Sequence, residues 1–118
     1  MAKIGTEDKL KLVTEAIDER KGENTEVIDL RDRTLIADYF VITSGTSNVH
    51  IRAIVDGISR KIKEKRLKRP DVEGYSEARW VLVDFGDIVV HIFAPEEREF
   101  YDIESLWKQT EERRGAAT

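Results

Sequence analysis

Trp80-Val81-Leu82-Val83-Asp84-Phe85-Gly86-Asp87-Ile88-Val89-Val90-His91-Ile92-Phe93 holds two β-rich runs around a short glycine-containing turn, the pattern of a β-hairpin. Side chains alternate along a strand, so Val81, Val83, Ile88, Val90 and Ile92 share one face. That face is wholly β-branched aliphatic and is the expected core. Trp80, Leu82, Asp84, Asp87, Val89, His91 and Phe93 share the other, where aromatics, carboxylates and an imidazole mix in a way that suits contact with a partner. With Phe85 and Gly86 as the turn, the register predicts Asp84 opposite Asp87, Leu82 opposite Val89 and Trp80 opposite His91.

Upstream of the hairpin, Thr6-Glu7-Asp8 offers a capping residue and first-turn acids for a helix, followed by Leu10, Val13 and Ile17 at helical spacing. Arg20, Lys21 and Gly22 supply its stop. Residues 25–30 alternate as a strand, with Val27 and Asp29 on one face and Ile28 and Leu30 on the other. After a connector from Arg31 to Asp38, Tyr39 to Thr43 forms a second strand. Thr46 or Ser47 caps the longest helix, whose Ile51, Ile54, Val55, Ile58 and Ile62 recur with the helical period until Pro70 ends it. Residues 71–79 are polar and irregular, with Tyr75 the one candidate for strand pairing. Beyond the hairpin, Pro95 fits a first helical turn, and Phe100, Ile103, Leu106 and Trp107 give the stripe of a third helix that frays through Glu111 to Arg114. Residues 115–118 are expected to be disordered.

This order predicts an α/β domain, a small mixed β-sheet with helices packed on one face. At 118 residues the chain has the size of a single domain spanning 1–118, with an ordered core of about 6–112. It has no cysteine, which excludes a disulfide framework, a thiol nucleophile and thiolate metal sites. No apolar run approaches the roughly 20 residues of a membrane span, and the first residues lack signal-peptide character, so the expected location is the cytoplasm. Net charge is −4. It is unevenly spread: Arg60, Lys61, Lys63, Lys65, Arg66, Lys68 and Arg69 cluster, whereas the part after Pro95 is acidic. Solvated helix faces explain both stretches, and an RNA-binding module using the basic helix is the functional alternative.

Chemistry-bearing motifs are few. Asp84-Phe85-Gly86 spells the metal-binding triplet of protein kinases, but without a catalytic loop or glycine-rich strand pair it reads as a turn. Gly45-Thr46-Ser47 between strand and helix could hold a phosphate on backbone amides. A divergent nucleotidyltransferase would combine Gly45 and Ser47 with Asp84, yet the paired metal-binding carboxylates are missing; Asp71-Val72-Glu73 has the letters in the wrong place. His50 and His91 are the only histidines, and neither has a partner at ligand spacing. No catalytic residue, metal site or cofactor is therefore assigned. Tyr101 and Trp107 can extend the aromatic surface, and Trp80, Val89, His91, Phe93 and Tyr101, rimmed by Asp84 and Asp87, have the makeup of a protein interface. The competing reading is that another segment folds over this face as a second core layer.

The hairpin, followed by Arg98, Tyr101, Glu104, Leu106 and Trp107, closely resembles the signature of the ribosomal silencing factor (RsfS, Iojap-like) family. Residues 37–47 and Val72-Glu73-Gly74 resemble the family's earlier blocks, so that the likeness covers about residues 6 to 108. The resemblance implies a fold related to nucleotidyltransferases but lacking their catalytic acids, and no enzymatic activity. It implies binding to the large ribosomal subunit through ribosomal protein L-fourteen, which blocks joining of the small subunit and represses translation under nutrient limitation or in stationary phase. Carried onto this chain, the partner-binding residues are Trp80, Asp84, Asp87, Val89, His91 and Tyr101. Such a patch also predicts a homodimer when the partner is absent. Asp102-Ile103 departs from the pair commoner in the family after the tyrosine, which bears on how the third helix meets the sheet.

Overall fold

The computed structural model describes residues 4–107. In chain order these form α1 (Thr6–Glu19), β1 (Glu23–Asp29), β2 (Tyr39–Ser44), α2 (Asn48–Glu64), β3 (Asp71–Glu73), β4 (Trp80–Asp84), β5 (Ile88–Phe93) and α3 (Pro95–Tyr101). The strands make one sheet in the order β1-β2-β5-β4-β3. β2 and β5 run parallel in its centre and every other pairing is antiparallel, which gives the expected mixed sheet.

One face of the sheet carries the aliphatic residues anticipated from the hairpin: Val81, Val83, Ile88, Val90 and Ile92 are all fully buried. They pack under Val13, Ala16 and Ile17 of α1 and Ile51, Ile54, Val55, Ile58 and Ile62 of α2. Each such side chain contributes about 2 kcal/mol when withdrawn from water, so this layer dominates the stability of the fold. Ser47 caps α2, its side chain accepting from the His50 backbone N–H at 3.1 Å.

Four local expectations are corrected. The hairpin turn centres on Gly86 and Asp87, not on Phe85 and Gly86: the Phe85 N–H donates to the Ile88 carbonyl at 2.8 Å, and the register pairs Trp80 with Phe93, Leu82 with His91 and Asp84 with Val89. Two-residue hairpin turns need positive φ at their first central position, which Phe85 resists and Gly86 adopts at φ +88°. The slip is two residues, an even number, so the division of side chains between faces is unchanged. Secondly, Gly5 is the N-cap of α1, with no side-chain cap, because the Thr6 hydroxyl donates to Asp87 instead. Thirdly, Asp71–Glu73 is a strand, paired antiparallel with β4, while Tyr75 stays outside the sheet and donates its hydroxyl to Asp56. Finally, the third helix breaks. Asp102 is left-handed at φ 43°, ψ 48°, so α3 ends at Tyr101 and residues 103–107 resume as a separate helical segment. The expected fraying and disorder after Trp107 lie outside the described residues.

Candidate functional site

The opposite face of the sheet presents Phe40 and Ile42 from β2, Val89, His91 and Phe93 from β5, and Trp80, Leu82 and Asp84 from β4. It is neither wholly open nor wholly covered. Ile28, Leu30, Ala37, Ile42 and Phe93 are buried in a second small core, against which Phe40, Trp80, Val89, Ile103 and Trp107 pack half-buried. The break at Asp102 makes this possible, since it redirects Ile103 and Trp107 onto the sheet while Phe100 is left 80% exposed. Arg98 holds the arrangement, donating to Glu104 at 2.7 Å, to the Ser44 hydroxyl at 2.9 Å and to the backbone carbonyls of Glu23 and Asn24. The helices therefore cover the aliphatic face with α1 and α2, as expected, and the helical segment after α3 adds a partial layer behind it.

Of the residues assigned to the site from the sequence, the structure gathers Trp80, His91 and Tyr101. The Trp80 and Tyr101 rings lie 4.6 Å apart, and the Trp80 indole N–H donates to His91 Nδ1 at 3.2 Å. The corrected register makes Trp80 and His91 diagonal rather than direct cross-strand neighbours, a spacing that long side chains still bridge. His91 is only 6% exposed, stacked on Phe93 and packed against the edge of Phe40 and the tilted Trp80 ring, so it lies beneath the surface as a support for the indole. Burial holds its imidazole well below the ordinary histidine range, at about 4. Phe93 is fully buried. Val89 is half-buried beside the cluster, and Asp84 is exposed, its carboxylate accepting from the Gly86 N–H at 2.7 Å in the turn.

Asp87 departs from this face. Its carboxylate turns toward α1, where it takes Lys9 Nζ at 2.9 Å and the Thr6 hydroxyl at 2.8 Å. Burial pushes the Asp87 pKa up, but the hydrogen bonds from Lys9 and Thr6 outweigh it and leave a net lowering. Trp107 joins the aromatic cluster through Phe40, in keeping with its reading as an extension of the aromatic surface; the residues missed are Phe40 itself, and Leu35 and Ile36, which stand 105% and 70% exposed in the connector between β1 and β2. An apolar pair inside a charged connector was the available signal for the last two.

The alternative catalytic constellation is not assembled. Gly45 follows the end of β2 that abuts Phe93, whereas Asp84 pairs with Val89 at the other end of β5. Four residues of strand, about 13 Å, separate the two ends. Ser47 and the Thr46 backbone N–H are engaged with His50. No cluster of three or more metal-ligating side chains occurs among the described residues, and no helix there is long and apolar enough to cross a membrane.

Comparison with known proteins gives one consistent result. Residues 3–117 match the family described as ribosomal silencing factor during starvation. The chain is 41% identical over 98 residues to the Bacillus subtilis ribosomal silencing factor, covering 83% of each protein. It is 36% identical over 104 residues to that of Halalkalibacterium halodurans, covering 88% of this chain and 89% of the relative. A crystal structure of a Chromobacterium violaceum protein superposes with a TM-score of 0.85 at 33% identity, covering 89% of this chain and 88% of the other.

Proposed function

The chain belongs to the ribosomal silencing factor family, whose members are ribosome-binding regulators of translation and not enzymes, and from that premise we propose how this member acts. It docks on ribosomal protein L-fourteen of the large subunit through the half-covered sheet face and sterically prevents the small subunit from joining, in the cytoplasm. Occupancy alone performs this task, and no turnover is needed. The observation that carries the reading is the Trp80–Tyr101 pair, an aromatic anchor at the surface with its indole fixed from beneath by His91. Rigid aromatic anchors of this kind dominate binding energy at protein interfaces.

Around it, Val89 contributes apolar area and Asp84 offers a carboxylate to basic groups of a ribosomal protein, acting mainly on encounter and orientation. Asp87 belongs to the rim, where its bond to Lys9 fixes the turn that presents Asp84. In cosedimentation with separated large subunits, Trp80→Ala is expected to lower affinity by about thirtyfold, the cost of losing a central anchor. Asp84→Lys, at an exposed position, should weaken binding without loss of fold. Undiminished binding by folded forms of both variants removes this face from the interface.

The same exposed aromatic patch supports self-association of the free protein. Light scattering at high protein concentration is expected to show a homodimer that Trp80→Ala weakens; a monomer under those conditions refutes it.

A further inference from the structure

Seven of the chain's cationic side chains fall between Arg60 and Arg69, with Glu64 the only carboxylate among them. Two are neutralised: Lys61 pairs with Glu19 at 2.7 Å, and Arg60 with Glu64 at 3.4 Å. Lys63, Lys65, Arg66, Lys68 and Arg69 are exposed and have no ion pair among the described residues. Arg60, Lys63, Arg66 and Arg69 line a groove of about 650 Å³ between the end of α2 and β3, and no carboxylate lines it. Past Arg69 a neighbouring hollow takes in Asp71 and Asp84, which bounds the cationic stretch.

The way α2 ends gives a second observation. The Leu67 N–H returns to the Ile62 carbonyl at 3.1 Å and the Arg66 N–H to the Lys63 carbonyl at 3.0 Å, the two bonds of a Schellman stop, with Ile62 and Leu67 both buried in the main core. That motif needs a left-handed residue after the cap, the position where glycine is favoured. Here it is Arg66, at φ 55°. The stop of α1 is built the same way, with Lys21 left-handed at φ 61°, so the conformation does not itself select arginine; it fixes where the Arg66 side chain leaves the backbone, at the groove that it lines.

We infer that this groove is a contact for the sugar-phosphate backbone of double-helical RNA, a second anchor beside the sheet face. Charge complementarity selects the ligand class, since Lys63, Arg66 and Arg69 on the groove are unpaired cations among the described residues and no carboxylate lines it, which favours a polyanion. Single-stranded RNA is disfavoured because the lining has no aromatic side chain on which bases could stack. Duplex RNA is held through its shape and phosphates, which needs none. An acidic peptide added along β3 would set its side chains over Asp71 and Glu73, both exposed on that edge, and meet like charge.

The test measures anisotropy of a labelled RNA duplex of about 16 base pairs with the intact chain at increasing salt. Wild type is expected to bind at low salt with affinity falling steeply as salt rises, and Lys63→Gln, Arg66→Gly and Arg69→Gln should each reduce the log–log salt slope by about 1. Combined, they should cost at least about tenfold in affinity, while Lys11→Gln, an exposed cation on α1, leaves binding unchanged. Arg66→Gly is the sharpest arm: it raises the thermal midpoint by relieving the left-handed strain and lowers duplex affinity. The inference is overturned if the duplex is not bound at low salt, if Lys11→Gln weakens binding as much as the groove variants, if Arg66→Gly leaves affinity intact, or if a polyglutamate peptide binds more tightly than the duplex. None of these readouts involves ribosomal protein L-fourteen, so they stand or fall separately from the docking proposal.

Discussion

Gly74→Ala is expected to destabilise the protein by roughly 3 kcal/mol or more, seen as a lower urea midpoint, because it adds backbone strain to overpacking. Gly74 has φ +84°, and a Cβ there would lie 2.4 Å from the Trp80 carbonyl oxygen, an atom of the β4 backbone that cannot swing aside. Gly86→Ala is the matched comparison. Gly86 has nearly the same φ, +88°, but a Cβ on it would meet nothing within 4 Å, so only the conformational cost of about 1 kcal/mol remains. The difference between the two variants isolates the close approach from the dihedral. Equal losses would show that the contact with Trp80 is relaxed and that the positive φ alone sets the requirement. Because the clash falls on the residue that carries the aromatic anchor, Gly74→Ala should also weaken large-subunit binding in molecules that remain folded.

The contrast between what the sequence disclosed and what it concealed follows from the kind of signal each element leaves. The aliphatic face of β4 and β5 and the isoleucine stripe of α2 were legible because burial on one side imposes a period of 2 or 3.6 on the residues themselves. β3 left no such mark: its three residues are all exposed, and it is a strand only by pairing with β4. The turn register was readable in principle, since glycine belongs at the first central position, and the competing choice failed on the φ of Phe85. Asp87 escaped because pleat alternation does not govern side chains within a turn, and Lys9 and Thr6 drew its carboxylate toward α1.

The candidate site shows the same division. Trp80, His91 and Tyr101 could be grouped from strand alternation and a helix start, without knowing the register. The second layer could not, because Ile103 and Trp107 stand at i, i+4 whether the third helix continues or breaks at Asp102. The reading of a second core layer holds in part. A second core layer covers Phe93 and Ile28, and the anchor pair with Val89 and Asp84 remains accessible beyond its edge. For the proposed docking the partial cover would matter physically: a tryptophan braced by packing loses less freedom on binding than one standing free, so more of its contact energy would reach the complex.

Acidification should test that bracing directly. His91 accepts from the Trp80 indole through Nδ1, which requires the neutral ring, and its Nε2 is buried without a hydrogen-bond partner among the described residues. Its folded pKa of about 4 lies below the ordinary 6.5. Between those values the unfolded chain binds the proton and the folded chain does not, so stability is full above pH 6.5 and falls as pH drops toward 4. The size of the shift sets the loss on the order of 3 kcal/mol by pH 4. Urea titrations of wild type and His91→Phe across this window separate the contribution from that of the carboxylates and of His50, which the two proteins share. The wild-type stability should drop more steeply, the two curves converging in slope above pH 6.5. Parallel curves throughout would mean that His91 is solvated and titrates normally, and the account of Trp80 as an indole fixed by a neutral imidazole would fail with it.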